Sequence, residues 1–293
     1  MSLPINLEKT PEWTTQRGDD KDVVVSSRLR FARNIAGVTF PKKADDATKE
    51  KILDRVRETL GNLVPDRSFN FLEISDLSGL EKDVIQERRV GSQELTKEPY
   101  GGLVFDDDES LGFLVNEEDH FRIQSLRSGF DLTEVHRWAD DLETALDEEF
   151  GFASDEEWGY LTACPTNLGT GMRASVLLHL PGLILRDEIS RVLKAVANLG
   201  LTVRGYYGEG TESQGFYLQL SNQVTLGRSV ENLLDSLSRV TERLVKKERE
   251  ARHHLFNDSG LDIEDKVWRS YGTVNHARKI SGSETLECLS LVR

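Results

Sequence analysis

The chain has 293 residues, of which 30% are charged and 38% are hydrophobic, and its formal net charge is −14. This composition is typical of a globular protein with one large domain and one small one, and the acidic charge argues against nucleic-acid binding, which needs a basic surface. With two cysteines, no apolar run of about 18 residues and no apolar leader, we expect a cytoplasmic protein without membrane contact. The charge would also steer cationic partners, although solubility alone explains it.

Apolar periodicity in the first half of the chain predicts both strands and helices. Strands are predicted at 23–25 and 69–74, and helices at 45–63, 77–89 and 131–150. Two apolar runs, 101–105 and 111–115, flank a short acidic turn, which is the pattern of an antiparallel hairpin.

The second half of the chain also contains both predicted strands and predicted helices. Strands are predicted at 158–161 and 174–178, a hairpin at 201–207 and 216–220, and helices at 186–199, 230–255, 263–271 and 283–292. Hairpins combined with amphipathic helices indicate an α+β fold, with a mainly antiparallel sheet flanked by helices. We expect a large domain at 1–251, with its core in 23–227, and a small C-terminal helical domain at 252–293.

Two arginines lie close together after the first strand. Arg28 and Arg30 are two residues apart, so on a strand they share one face. Planar, multi-donor cations placed together are typical of a phosphate site. The alternative is a solvated edge strand.

A run of carboxylates follows the first hairpin. The sequence NEEDHFR at 116–122 places Glu118 shortly before Arg122. Three adjacent carboxylates are costly to bury unless they hold a cation. The run is therefore either a solvated turn or part of a binding site.

One cysteine leads into a loop of small residues. Proline after Cys164 restrains the backbone, and the glycines at 169 and 171 let the loop approach a ligand closely. Arg173 then begins an apolar strand. A buried cysteine followed by an ordinary turn is an equally simple interpretation.

Common nucleotide and metal motifs do not explain these segments. The sequence has no G-x-x-x-x-G-K-[ST] loop, its glycines at 205–210 lack the context of a dinucleotide fingerprint, and its histidines lack zinc-site spacing. What remains is a set of charged groups at strand ends and glycine turns, together with one thiol: Arg28, Arg30, Glu118, Arg122, Cys164, Arg173, Arg204 and Glu209.

Together these segments resemble the phosphagen (guanidino) kinase family, whose catalytic domain has a glutamine-synthetase-like fold. SSRLR at 26–30, NEEDHFR at 116–122, CPTNLGTGMRASV at 164–176 and RGYYGEGTE at 204–212 match its motifs in order. The chain is most similar to the bacterial protein-arginine kinases of the McsB type, because GYYGEGTE is followed by SNQVTLG and the tail reads DKVWRSYGTVNHARKIS.

The resemblance implies a role for each motif, with residues 1–251 as the phosphotransferase domain. Glu118 and Glu209 would hold the substrate guanidinium and one would take its proton, while Cys164, as a thiolate, would contact the same group. Mg²⁺ would bridge the phosphates of ATP, and no set of protein metal ligands is implied. The implied ATP contacts are Ser26, Ser27, Arg28, Leu29, Arg30, Arg122, Arg173, Ala174, Ser175, Val176, Leu177, Arg204, Gly205, Tyr206, Tyr207, Gly208 and Glu209.

General chemistry supports such a site. A guanidinium has a pKa above about 12 and is no nucleophile at neutral pH, so carboxylates must orient it and accept a proton. Phosphoryl transfer otherwise needs positioning and charge neutralisation. A thiolate is favoured by cationic surroundings.

The resemblance also implies substrates and partners. Proteins with exposed arginines would be the substrates, among them a stress-response repressor and proteins sent to a Clp-type protease, and the chain would form a homodimer through its C-terminal helices. The alternatives are a kinase for a small guanidino compound and an inactive scaffold that binds arginine side chains. The short arm before Val23 favours an open site and hence a protein substrate.

Two features depart from the family pattern. Arg89 stands where the family usually has a histidine at the nucleotide site. The sequence ends at Arg293, whereas McsB-type proteins usually continue into a part that recognises phosphoarginine, so feedback by phosphoarginine is doubtful.

Overall fold

The computed structural model describes residue 5 and residues 7–64, 67–205 and 215–293. The strands are β1 Val24–Arg33, β2 Phe69–Glu73, β3 Gly102–Asp106, β4 Leu111–Val115, β5 Phe121–Ser128, β6 Ser154–Asp155, β7 Gly159–Tyr160, β8 Met172–His179, β9 Leu201–Gly205 and β10 Tyr217–Asn222. The α-helices are α1 Asp46–Thr59, α2 Gly79–Glu87, α3 Leu132–Phe150, α4 Pro181–Leu185, α5 Ile189–Ala197, α6 Val230–His276 and α7 Gly282–Val292. None of the helices in these ranges is both long and apolar enough to cross a lipid bilayer.

Eight strands form one sheet in the order β2-β3-β4-β5-β1-β8-β10-β9, and all neighbouring strands are antiparallel. Strands β6 and β7 form a separate small ribbon. The prediction of an α+β fold with a mainly antiparallel sheet is therefore confirmed.

Polar side chains fix where most of the long helices begin. Asp45, Asp131, Ser229 and Ser281 each accept a hydrogen bond from the backbone N–H three residues later. The first turn of a helix has free N–H donors, so such a cap stabilises it by about 1 kcal/mol. The caps of α3 and α6 fix where these two helices, which pack against the sheet, begin.

The two faces of the central strands differ completely. Leu29 and Phe31 of β1 are buried in the core together with residues of α3 and α6. Because side chains alternate along a strand, Arg28 and Arg30 point to the opposite face. The helices thus cover one face and leave the other for the arginines.

The central strand β5 is absent from the sequence-based prediction. Apolar and polar residues alternate from Phe121 to Gln124, but Ser125 and Leu126 reverse the alternation, so the period-2 signal is short. The structure also extends β1 to Arg33, which shows that the arginine motif lies within a strand and not after it.

The C-terminal helices agree with the predicted break. α6 spans 47 residues, but its backbone leaves the helical conformation inside the gap at 256–262 that the sequence predicted between two helices. Ser259 has non-helical dihedral angles (φ −146°, ψ 35°) and precedes Gly260, a pair that typically kinks a helix. The predicted domain boundary at 251/252 lies inside α6, and the division into domains stays a prediction.

Candidate active site

The register of the central strands gathers arginines on one face of the sheet. Arg30 of β1 lies opposite Arg173 of β8 on one side and opposite Gln124 of β5 on the other. Directly opposite residues share a face, as do residues two apart on one strand. Arg28 and Arg122 therefore lie on this same face.

Arg204 reaches the same face from the edge of the sheet. It lies opposite Gln219 of β10, which in turn lies opposite Leu177 of β8. Leu177 is four residues after Arg173 on the same strand, so all four side chains point the same way. We call the surface formed by Arg28, Arg30, Arg122, Arg173 and Arg204 the arginine face.

A cleft of about 480 Å³ opens on the arginine face. It brings together side chains from three of the four sequence motifs and from Arg204 at the start of the fourth. The cleft is lined by Arg30, Phe31, Ala32, Glu94, Glu118, Arg122, Cys164, Thr166, Asn167, Gly171, Arg173 and Arg204.

The positive charges of the arginine face act on one another. Burial, together with the charges of Arg89 and Arg122, lowers the pKa of Arg28 to about 9. The charge of Arg28, together with burial, holds the pKa of Arg30 well below its usual value, and Glu117 opposes this effect only in part. Uncompensated cations in a low-dielectric cleft are unfavourable, so an anion bound there would be stabilised strongly.

Arg173 belongs to the same electrostatic cluster. Burial lowers its pKa, as do the charges of Arg204 and Arg122, whereas Cys164 acts in the opposite direction. The thiol is therefore close enough to Arg173 for the two groups to interact.

Two adjacent glutamates provide the negative charge near the cluster. Arg122 forms ion pairs with Glu117 Oε2 at 2.5 Å and with Glu118 Oε2 at 3.1 Å. The Glu117 side chain is only 1% exposed and also accepts a hydrogen bond from Ser92, whereas the Glu118 side chain is 28% exposed. Glu118 is thus the carboxylate that an incoming cation can reach, and Glu117 is a buried counter-charge that the sequence did not single out.

A buried polar network holds the glutamate turn beside the cysteine loop. Asn34 donates to Asp119 Oδ1 at 2.6 Å and accepts a hydrogen bond from the backbone N–H of His120 at 2.9 Å. The same Asp119 oxygen accepts from the backbone N–H of Ala163 at 2.7 Å, one residue before Cys164. The network therefore ties the end of β1 to both the glutamate turn and the cysteine loop.

The loop after Cys164 approaches the rest of the protein closely. A Cβ on Gly169 would lie 2.5 Å from Thr225 O, and one on Gly171 would lie 2.7 Å from Ala32 O, while both residues have positive φ. Only glycine fits such a position. The Cys164 sulfur lies 3.0 Å from Thr166 Oγ1, with the side chain at the edge of the cleft.

The predicted ATP contacts divide between the two faces. Ser26, Ser175 and Leu177 lie on the arginine face, as the register of β1 and β8 requires. The side chains of four other predicted contacts point to the opposite, helix-covered face, namely those of Ser27, Leu29, Ala174 and Val176. Tyr206, Tyr207, Gly208 and Glu209 lie outside the described residues, and Gly205 ends β9.

Arg89 lies beside the cluster. It has a left-handed backbone conformation (φ 62°), its guanidinium lies 5.1 Å from the ring centre of Trp13, and its charge affects Arg28. The residue that departs from the family pattern thus adds positive charge next to the arginine face.

A face of this kind suits a polyanion such as a nucleoside triphosphate, and the chain matches a family that uses one. Residues 51–251 match the ATP:guanido phosphotransferase C-terminal catalytic domain, and residues 260–293 match the protein-arginine kinase McsB C-terminal domain. The chain therefore belongs to the ATP:guanido phosphotransferase family. In this family ATP is the phosphoryl donor and a guanidino group is the acceptor, so the protein is an ATP-dependent guanidino phosphotransferase.

Individual relatives are similar over most of the chain. A protein-arginine kinase of Bacillus velezensis is 41% identical over 283 residues, which are 96% of this chain and 78% of that protein. One from Moorella thermoacetica is 42% identical over 298 residues, which are 99% of this chain and 84% of that protein.

Solved structures share the fold. The duplicated taurocyamine kinase of Schistosoma mansoni, with bound components of a transition-state analogue, matches 85% of this chain and 36% of its own with a TM-score of 0.70 and 25% identity. Lombricine kinase matches 84% of this chain and 72% of its own with a TM-score of 0.71 and 23% identity.

Proposed function

We propose that the protein is a protein-arginine kinase, which transfers the γ-phosphoryl group of ATP to the guanidinium of arginine side chains in proteins. The observation that supports this most strongly is that one cleft combines excess positive charge with an accessible carboxylate and a thiol. The chain is also 40–42% identical to several proteins named protein-arginine kinase.

The arginine face would bind the phosphates of ATP. Arg28, Arg30, Arg122, Arg173 and Arg204 offer planar, multi-donor groups on one surface. Mg²⁺ would be bound through phosphate oxygens, because the groups that face the cleft are mostly cationic and the buried carboxylate Glu117 already pairs with Arg122. When bound, the metal would neutralise developing phosphate charge.

The acceptor side of the cleft would hold the guanidinium. Glu118 exchanges its contacts with Arg122 and Lys42 for contacts with the substrate cation, and Cys164 lies across the same cleft. A guanidinium nitrogen attacks the γ-phosphorus, the bond to the ADP oxygen breaks, and the nitrogen loses its proton to a carboxylate. Glu209 is proposed as the second carboxylate, although it lies outside the described residues.

A kinase for a small guanidino compound is the second candidate. The structural likeness to taurocyamine and lombricine kinases favours it. The net charge of −14 favours a basic protein, because it attracts a cationic surface more strongly than a zwitterionic amino acid.

Mass spectrometry separates the two candidates. A basic protein, an arginine peptide and free arginine are incubated with ATP and Mg²⁺ at equal guanidinium concentration, each at low and high salt. We expect acid-labile phosphoarginine mainly on the protein, with less at high salt, because added salt screens long-range attraction. Free arginine as the best substrate, with no effect of salt, would identify a small-molecule kinase.

The C-terminal helices would form a homodimer. Leu261 is 83% exposed and Trp268 is 69% exposed, and Phe256, Tyr271 and Leu289 are also exposed. Apolar side chains in this number usually mark an interaction surface. Light scattering should give twice the chain mass, and Trp268→Ala should shift the protein toward the monomer; a monomer at every concentration would refute the dimer.

A further inference from the structure

Gln124 lies within the arginine face but carries no charge. It is in the middle of β5, directly opposite Arg30 of β1, and is buried. Its side chain bridges two parts of the protein that are distant in sequence, namely β1 and the segment that follows α2.

The contacts of Gln124 allow only one orientation of its carboxamide. Nε2 donates to the backbone oxygens of Arg89 at 3.2 Å and Val90 at 2.8 Å, and Oε1 accepts from Arg28 Nη2 at 2.9 Å. Neither carbonyl can donate and a guanidinium cannot accept, so a flipped amide would lose all three hydrogen bonds. The two carbonyls therefore fix the oxygen of Gln124 toward Arg28.

Arg28 depends on this contact. Among the described residues, Gln124 provides the one side-chain hydrogen bond that Arg28 makes, and Arg28 Nε is buried without a partner. Arg89 and Arg122 place like charges nearby, and burial with these charges lowers the pKa of Arg28. A guanidinium under such repulsion would move toward solvent if nothing held it.

We propose that Gln124 is a positioning residue of the phosphate site, which holds Arg28 on the arginine face and anchors the backbone at Arg89 beside it. The neutral acceptor satisfies one N–H of Arg28 without cancelling its charge. The other Nη donors stay available for an anion. A glutamate at position 124 would also bind Arg28, but it would neutralise the charge that attracts the anion.

The proposal rests on the proposed function in that the natural anion is ATP. Its test therefore measures anion binding directly, with no need for turnover. Isothermal titration of the full chain is done with ATP and, separately, with inorganic tripolyphosphate. Gln124→Met preserves the side-chain length, and Gln86→Met is the control, because Gln86 makes comparable contacts with Lys82 O and Thr96 Oγ1 from α2.

Gln124→Met should lower the affinity for both ATP and tripolyphosphate about tenfold, which is the scale of a hydrogen bond to a charged group. The Gln86→Met protein should bind both as the wild type does. Gln124→Glu should weaken binding at least as much as Gln124→Met, and it provides a second readout if the methionine variant folds poorly.

A double-mutant cycle distinguishes positioning from a general structural effect. Arg28→Ala should weaken anion binding, and Gln124→Met should add nothing further in that background, because Gln124 acts through Arg28. Full additivity of the two changes, or wild-type affinity in Gln124→Met, would overturn the proposal. If the wild type binds tripolyphosphate but not ATP, the proposed function fails while the cycle still decides the role of Gln124.

Discussion

Arg30 and Arg33 lie on the same strand, yet the protein treats them in opposite ways. Arg30 faces the cleft, where the charges of Arg28, Arg122 and Arg173 and burial disfavour its protonated form. Arg33 points to the helix-covered face, where it is 2% exposed and surrounded by partners.

The Arg33 guanidinium contacts a carboxylate, two backbone carbonyls and an aromatic ring. Its Nε forms an ion pair with Glu143 at 2.8 Å, and its Nη1 donates to Ala32 O and Thr170 O. The Tyr160 ring centre lies 3.5 Å from the guanidinium carbon. This arginine connects β1 to α3 and to the cysteine loop.

Arg33 and Arg30 differ in whether their charge is compensated, and this difference distinguishes a structural arginine from a binding one. A buried charge is tolerated when a counter-charge and hydrogen bonds compensate it. Arg33 has both, so its role is to hold the fold together. The arginine face has too few carboxylates for its cations, and the deficit itself indicates an anionic ligand.

The largest effect should follow from removing Arg33. Arg33→Ala leaves Glu143 buried without its partner, and breaking such a pair costs about 3–5 kcal/mol. Urea unfolding measures the loss. Arg137→Ala is the control, because its ion pairs with Glu134 and Asp141 are exposed and it should change stability by less than about 1 kcal/mol. An equal loss of unfolding free energy in both variants would show that Arg33 has no special structural role.

Glu118→Gln tests whether the accessible carboxylate serves the substrate. Turnover should fall by at least about 100-fold, the scale of a lost acid–base group. ATP affinity should change little, because the phosphates contact other residues. Glu149→Gln, at a surface pair with Arg55, is the control. A Glu118→Gln enzyme of normal activity would remove Glu118 from the mechanism.

His120 is also a buried basic residue, but unlike Arg30 and Arg33 it is buried in its neutral form. Burial lowers its pKa to about 4, below the usual 6.5, so the unfolded chain binds more protons than the folded one between these values. Stability is therefore complete above pH 6.5 and decreases as the pH falls toward 4, by about 2 kcal/mol at pH 5.

The measurement is the free energy of unfolding at pH 7 and pH 5, in the wild type and in His120→Asn. The wild type should lose more stability than the variant between the two pH values. Burial raises the pKa of the neighbouring Asp119, which acts in the opposite direction, so the difference between the proteins is the relevant quantity. An identical pH dependence in the two proteins would show that folding does not lower the pKa of His120.

Arg30→Ala should have the smallest effect, because it should lower the affinity for ATP without lowering the stability of the fold. ATP affinity should fall about tenfold, as expected for one hydrogen bond to a charged group. The free energy of unfolding without ATP should stay the same or rise, because the change relieves repulsion from Arg28 and Arg173. A loss of stability as large as that of Arg33→Ala would show that the two arginines have the same role.

Much of the fold could be predicted because local periodicity reports which side of an element is buried. The helix at 131–150 and the hairpin at 101–115 are confirmed, since their apolar spacing matches the helical and strand repeats. Strand β5 was not predicted, because its alternation of apolar and polar residues holds only from Phe121 to Gln124 and reverses at Ser125 and Leu126.

The sequence alone specifies which chemical groups the protein has and, for Arg28 and Arg30, that they share a face, because side-chain alternation is a local property of the backbone. The folded chain is needed to show that Arg173 lies opposite Arg30, that Glu117 is buried while Glu118 is accessible, and that Gln124 accepts a hydrogen bond from Arg28. These relations depend on the register of strands distant in the chain. That register is set by the burial of the apolar face against α3 and α6, and it has no local signature in the sequence.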